Sequence, residues 1–211
     1  MQVEKARRSN RDRTEATRGQ LIAAARKLFT EKSYAETSTP DIAAAAGVTR
    51  GALYHHFTDK QALFRAVVEH EAEAVAGEIE RAFGPASAPA FTPGTMSARG
   101  ALLAGSDAYF EAMRKPGRTR LLLLDGPAVL GRDVLDEIDS RHGNRTLHEA
   151  LAEMMVTGEM RRLPLDALTE LLGAAFDRAA LAIEAGAPAE TYREPLVALI
   201  DGLAVSPSPD G

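Results

Sequence analysis

Apolar residues recur at intervals of three and four along most of the chain, and almost no segment alternates with a period of two, so the pattern predicts helices throughout. Leu21, Ile22, Ala25, Leu28 and Phe29 fall on one helical face and place a first helix at about 14–32. A second, shorter helix begins near Thr39, with Ser38 or Thr39 as its N-cap and Pro40 in its first turn, and stops at Gly47. Thr49 is the natural N-cap of a third helix that continues to about His56. Only Gly47-Val48-Thr49 separates these two, a spacing that suits a helix-turn-helix. Thr58-Asp59-Lys60 opens a fourth helix, whose stripe of Leu63, Phe64, Val67, Val75, Ile79 and Phe83 ends before Gly84-Pro85.

The stretch 84–98 is rich in Pro, Gly and Ser and predicts a loop between helices rather than a domain boundary, since the fourth helix is too long to belong only to a small head. Leu102, Leu103, Ser106, Tyr109, Phe110 and Met113 mark a fifth helix ended by Pro116-Gly117. A short sixth, about 117–124, is expected to stop at Asp125-Gly126-Pro127, and a seventh to run from about 128 to 157 with Gly143 bending it. The eighth opens at Pro164 and closes at Gly186, and the ninth occupies roughly 188–204, with Pro195 kinking it. The expectation is an all-α chain of about nine helices, an N-terminal three-helix helix-turn-helix head followed by a helical body. Residues 1–13 are expected to be a disordered basic arm and 206–211 a frayed tail.

Composition narrows what such a chain does. With 211 residues, 45% apolar and 26% charged, it has enough apolar material for a sizeable core. No apolar run approaches the ~18 residues of a spanning helix. No apolar segment follows the polar, basic start either, so neither a membrane partner nor a secretory signal is expected. The lack of cysteine excludes disulfides, thiolate metal sites and a cysteine nucleophile, and fits a cytoplasmic location. The net charge of −5 conceals a split: residues 1–65 carry 12 Lys/Arg against 7 Asp/Glu, whereas residues 66–211 carry 13 against 23. A basic first third on an acidic remainder is the asymmetry expected when one end faces phosphate.

The helix-turn-helix supplies the chemistry for that end. Leu53 and Phe57, four apart, point inward, leaving Thr49, Arg50 and Gly51 in an exposed first turn and Tyr54 and His55 one turn later. The guanidinium fork of Arg50 suits guanine O6 and N7, and Gly51 lets the helix backbone approach the bases. Tyr54, His55 and Lys60 suit phosphate oxygens, which position a head without reading sequence. Plainer readings stand beside these: Tyr54 packed over the turn, Thr39 as a helix cap, His56 as a hydrogen-bonding neighbour of Phe57. Lys5, Arg7, Arg8, Arg11 and Arg13 either enter a minor groove or, the favoured reading, only raise the local positive potential.

The run Leu21-Ile22-Ala23-Ala24-Ala25 with Leu28-Phe29, then Ser38 to Ala43, then Ala46-Gly47-Val48-Thr49-Arg50-Gly51-Ala52-Leu53-Tyr54-His55-His56-Phe57, with Lys60 and Leu63 following, resembles the DNA-binding head of the TetR (tetracycline repressor-like) family of bacterial regulators. The resemblance implies an all-helical homodimer, with residues 14–60 as the DNA-binding domain and 61–205 as a ligand-binding and dimerisation domain. It also implies that Thr39, Thr49, Arg50, Gly51, Tyr54, His55 and Lys60 touch DNA. A two-fold dimer then predicts a palindromic operator on double-stranded DNA, and family tendency favours repression relieved by a ligand.

The resemblance is thinner beyond the fourth helix. A largely apolar ligand pocket is expected among Phe83, Leu103, Tyr109, Phe110, Met113, Leu124 and Phe176, with Asp107 or His148 as polar neighbours, though helical spacing fits ordinary core as well. The dimer interface is expected from the last two helices, through Leu168, Leu172, Ala175, Ala179, Leu196, Leu199 and Ile200. Five histidines and scattered carboxylates form no catalytic or metal-binding pattern, so neither an enzyme nor a cofactor or metal is expected. The alternative function is that of a helical architectural DNA-binding protein with no small-molecule effector.

Overall fold

The computed structural model describes residues 2–82 and 97–205, with side chains from Arg11 onward. Its elements are α1 (Gln2–Lys32), α2 (Thr39–Ala45), α3 (Arg50–His56), α4 (Lys60–Ala82), α5 (Ala98–Met113), α6 (Arg118–Arg120), a π-helical turn (Leu121–Asp125), α7 (Gly126–Leu130), α8 (Arg132–Arg141), α9 (Gly143–Val156), α10 (Leu165–Glu184) and α11 (Glu190–Leu203). No strand forms among the described residues, and one isolated bridge pairs Met160 with Ala204. Two compact units result, Met1–Glu71 with Arg120–Gly131, and Ala72–Thr119 with Arg132–Gly211. Helix α4 contributes residues to both.

In the first unit Leu21, Ile22, Ala25 and Phe29 of α1 are buried together with Ile42, Ala43, Leu53, Phe57, Leu63 and Phe64. Phe29, Tyr34 and Phe64 form an aromatic triangle, with ring centroids 5.6, 5.2 and 4.9 Å apart. Arg26 reaches the buried Glu71 through Nε at 2.8 Å and Nη2 at 3.2 Å, so the one buried carboxylate of this core is neutralised. The apolar spacing of the head thus produces the core expected of it.

Three expectations change. Helix α1 starts at Gln2, so the stretch expected to be a disordered arm continues the first helix. No Gly or Pro interrupts residues 2–18, and Arg11 pairs with Glu15 one turn on at 3.0 Å. Second, Asp125-Gly126-Pro127 does not stop a helix. The backbone widens into a π turn, closed by a bond from Gly126 N–H to the Leu121 carbonyl, and α7 continues from it. The wider turn accommodates Pro127, which has no N–H and crowds the carbonyl four residues back in an ordinary helix. Third, the single helix expected at 128–157 is broken twice, at Gly131 (φ 84°) and at His142 (φ −126°, ψ −97°), giving α7, α8 and α9. Most of the loop expected at 84–98, Phe83 and the tail at 206–211 lie outside the described residues.

In the second unit the core is built by α5, α9, α10 and α11 around Leu102, Leu151, Met154, Leu172, Phe176 and Ile200. The same helices carry the residues expected at the dimer face: Leu172, Ala179, Leu196 and Ile200 are buried in that core and Leu168 and Ala175 pack against it. Leu199 alone of the set is exposed, at 55%, and Leu171, outside the set, is exposed at 71%.

Candidate functional site

The helix-turn-helix is assembled by local hydrogen bonds that the sequence dictates. Ser38, rather than Thr39, caps α2: its Oγ accepts from Asp41 N–H at 3.3 Å and donates to Asp41 Oδ2 at 2.7 Å. Gly47 turns the chain with φ 69°, a value that costs a side chain about 1 kcal/mol or more. Thr49 Oγ1 then accepts from Ala52 N–H at 3.1 Å and caps α3. Leu53 is fully buried and Phe57 nearly so, which fixes the rotation of α3. Arg50, Gly51, Tyr54 and His55 are thereby left on the open face, with Thr49 at its start.

Three contacts order that face. Tyr54, 46% exposed, shares a hydrogen bond with Thr39 Oγ1 at 3.0 Å, tying the start of α2 to the middle of α3. This bond, with the nearby Arg50 guanidinium, holds the Tyr54 phenol below its ordinary pKa. His56 lies edge-on to His55 at 5.5 Å, and burial, with the charges of His55 and Arg18, lowers its imidazole pKa from the ordinary histidine value. Arg18 lies over the Phe57 ring at 5.1 Å and adds a cation to the same edge of the head.

Gly51 and Lys60 sit differently from their neighbours. A Cβ at Gly51 would meet only Thr49 Oγ1, at 3.8 Å, so nothing within the chain requires glycine there. Lys60 is half-buried. Its Nζ donates to the carbonyls of Tyr34 at 2.9 Å and Thr37 at 3.0 Å and stands 4.2 Å above the Tyr34 ring. Two of its three N–H groups are therefore occupied by the protein, and one remains for an external acceptor. Its role in bracing the 33–38 segment was not legible in the sequence, because the two carbonyls come from irregular backbone.

The expected ligand pocket is not assembled as foreseen. Met113 and Phe176 are buried core, and Leu103, Tyr109 and Phe110 pack against it. Leu103 and Phe110 border a crevice of about 10 Å³, closed by the Asp107–Arg193 ion pair at 2.7 Å. Leu124 is 53% exposed and belongs to the first unit. Instead, a cavity of about 590 Å³ opens among α8, α9 and α10, and its lining includes the polar side chains of Asp139, Asn144, His148, Thr169 and Asp177. His148 was foreseen as a polar neighbour of the pocket; Asp139 and Asp177 were not. Each follows a core residue, Ile138 and Phe176, by one position, which sets it at the core's margin.

With this geometry in place, the comparisons are direct. A family model described as bacterial regulatory proteins, tetR family, matches residues 21–67, and one described as tetracyclin repressor-like, C-terminal domain, matches residues 100–206. The chain belongs to the TetR family of bacterial regulatory proteins. It is 31% identical to a TetR-family transcriptional regulator of Pectobacterium atrosepticum whose crystal structure superposes with a TM-score of 0.68, covering 93% of this chain and 98% of that one. Among curated relatives it is 39% identical over 83 residues to the HTH-type transcriptional regulator TtgR of Pseudomonas putida, and 41% identical over 73 residues to the HTH-type transcriptional regulator AcrR of Shigella flexneri. These matches cover 37% and 35% of this chain and 40% and 34% of the relatives, so the chain spans well under half the length of the curated relatives it matches. The relatives are regulators, which does not favour the architectural alternative. No helix among the described residues is long and apolar enough to cross a membrane, and no group of three or more potential metal ligands is gathered among them.

Proposed function

We propose that the chain is a sequence-specific DNA-binding regulator, acting as a homodimer on a palindromic operator in the cytoplasm and released from it, as a repressor, by a small molecule bound in the C-terminal body. The observation that carries the reading is the outward face of α3, where Thr49, Arg50, Gly51, Tyr54 and His55 stand exposed over a core that uses none of them. An arginine fork beside a glycine in the first turn of a helix suits base edges in a major groove, while Thr39, Tyr54 and the remaining N–H of Lys60 suit phosphate oxygens. The dimer is proposed through the outer faces of α10 and α11, where Leu171 and Leu199 are exposed. Continuity of α4 between the units supplies the route by which ligand and operator oppose each other through a shared coupling free energy.

Selection of the purified chain against randomised duplex DNA at moderate salt tests the reading: one short inverted repeat is expected, and retention without sequence preference overturns it. On the selected site, Arg50→Ala should cost about 1–3 kcal/mol and relax preference at one base pair, while Tyr54→Ala should weaken binding to all sequences and flatten the salt dependence. A uniform loss from Arg50→Ala would reassign that residue to the backbone.

A further inference from the structure

We infer that the cavity among α8, α9 and α10 is a binding site for an organic cation, an amine or amidine, with Asp139 and Asp177 as its counter-charges. As an effector site this rests on the regulatory reading above; as a binding site it does not. The cavity's volume of about 590 Å³ is that of a small-molecule site. Five carboxylates line it, those of Asp136, Asp139, Asp166, Glu170 and Asp177, against the guanidiniums of Arg132 and Arg145.

The basic groups of the lining already have carboxylate partners, only those of Arg145 lying outside the cavity. Arg145 is held by Glu80 and, at 3.0 Å, by Glu149. Arg132 stands 3.8 Å from Asp136, and His148 Nε2 lies 3.2 Å from Asp166 Oδ1. Three carboxylates remain, the exposed Glu170 and the partly buried Asp139 and Asp177. Asp177 Oδ1 accepts from the buried Tyr109 hydroxyl at 2.7 Å, and the Asp139 carboxyl receives no hydrogen bond among the described residues. Burial, then the charges of Asp177 and Asp136, push Asp139 up to about 7, only partly offset by Arg132; burial raises Asp177 as well. Asp139 lacks a donor, Asp177 has only that of Tyr109, and the Arg132 charge offsets the burial of either acid only in part, so an ammonium or amidinium entering the cavity supplies both donor and charge.

A bare metal ion does not fit the same need, since no three ligating groups are gathered among the described residues. An organic cation brings its own N–H donors and spans carboxylates that are too dispersed to chelate. Asn144 closes one wall of the cavity and lies flat on α10: a Cβ at Gly173 would meet its Oδ1 at 2.8 Å. With Thr169 and Ser140 it offers hydrogen-bonding groups beside the apolar surface of Gly173 and Ala174, a mixed lining that suits a cation with an organic body.

The test uses the full chain, with spermidine and benzamidine as probes and benzamide as the uncharged match of the latter. Calorimetry should detect binding of at least one cation and none of benzamide. Asp139→Asn should weaken that binding tenfold or more, and so should Asp177→Asn, which keeps an acceptor for Tyr109. Glu111→Gln removes the same charge outside the cavity and should change nothing. In the unmodified chain, affinity should fall about tenfold from pH 8 to pH 6 as Asp139 takes up a proton; His148, 3.2 Å from Asp166, also lines the cavity. Absence of binding by both cations, equal binding of benzamide, or affinity indifferent to both aspartates and to pH overturns the site. Binding that leaves operator affinity untouched upholds the site and overturns only its effector role; operator release by benzamide with no response to cations overturns the site and leaves the effector reading standing.

Discussion

The outward face of α3 and the cavity of the second unit are both polar surfaces laid against apolar cores, but they stand in opposite relations to stability. Arg50, Gly51 and His55 lie over Leu53 and Phe57 without taking part in the packing beneath. Asp139 and Asp177 are partly desolvated beside Ile138 and Phe176, and their charges repel. A face that only presents groups outward can be rewritten at little structural cost; a cavity that holds like charges weakens the fold until something neutralises them. The head is therefore read in binding assays, and the body also in its melting curve.

The sharpest way to break this contrast is pH. Asp139 has a folded pKa of about 7 against an ordinary value of 3.8, so between those limits the folded chain binds the extra proton and stability falls as pH rises. Asp139→Asn should accordingly raise stability at pH 8 by on the order of 2 kcal/mol and by almost nothing near pH 4, measured by urea denaturation at both values. Unchanged stability at pH 8 would mean that the cavity does not strain the fold.

Next in size is Lys60, which belongs to the proposed DNA contacts and also braces Tyr34 and Thr37. Lys60→Met should cost about 1–2 kcal/mol of head stability as well as DNA affinity, seen as an earlier thermal transition. A loss confined to DNA binding would place Lys60 with the residues of α3. The smallest stability change belongs to Gly51→Ala, expected to stabilise α3 by up to about 1 kcal/mol while reducing operator affinity at least tenfold. A destabilised head would show that the glycine serves the fold instead.

How much of this was visible in the chain follows from distance along it. The cap Thr49, the turn at Gly47 and the inward pair Leu53 and Phe57 lie within eleven residues and act on near neighbours, so spacing located them, whereas it left Ser38 and Thr39 as equal candidates for the cap of α2. Asp139 and Asp177 come within each other's field only because α9 packs against both α8 and α10, and Tyr109 arrives from α5; no local pattern joins those three positions. The same limit applies to Leu172, Leu196 and Ile200, expected at a dimer face and packed in the core of the second unit: periodicity reveals that a stripe is buried, not which helix buries it. The breaks at Gly131 and His142 were hidden by apolar spacing that runs on through them.

The π-helical turn at Leu121–Asp125 has a further consequence, for insertions and deletions rather than substitutions. Such a turn is what one surplus residue produces when a helix absorbs it without ending, and each residue rotates a helix by about 100°. Deleting one of the four leucines should let the segment relax to ordinary winding and swing α7 through about that angle. Val129, whose carbonyl now accepts from Gln61 Nε2 at 2.7 Å, would turn away from its donor. In this stretch the number of residues is under tighter constraint than their identity, since leucine, methionine or isoleucine serve alike where a missing position does not.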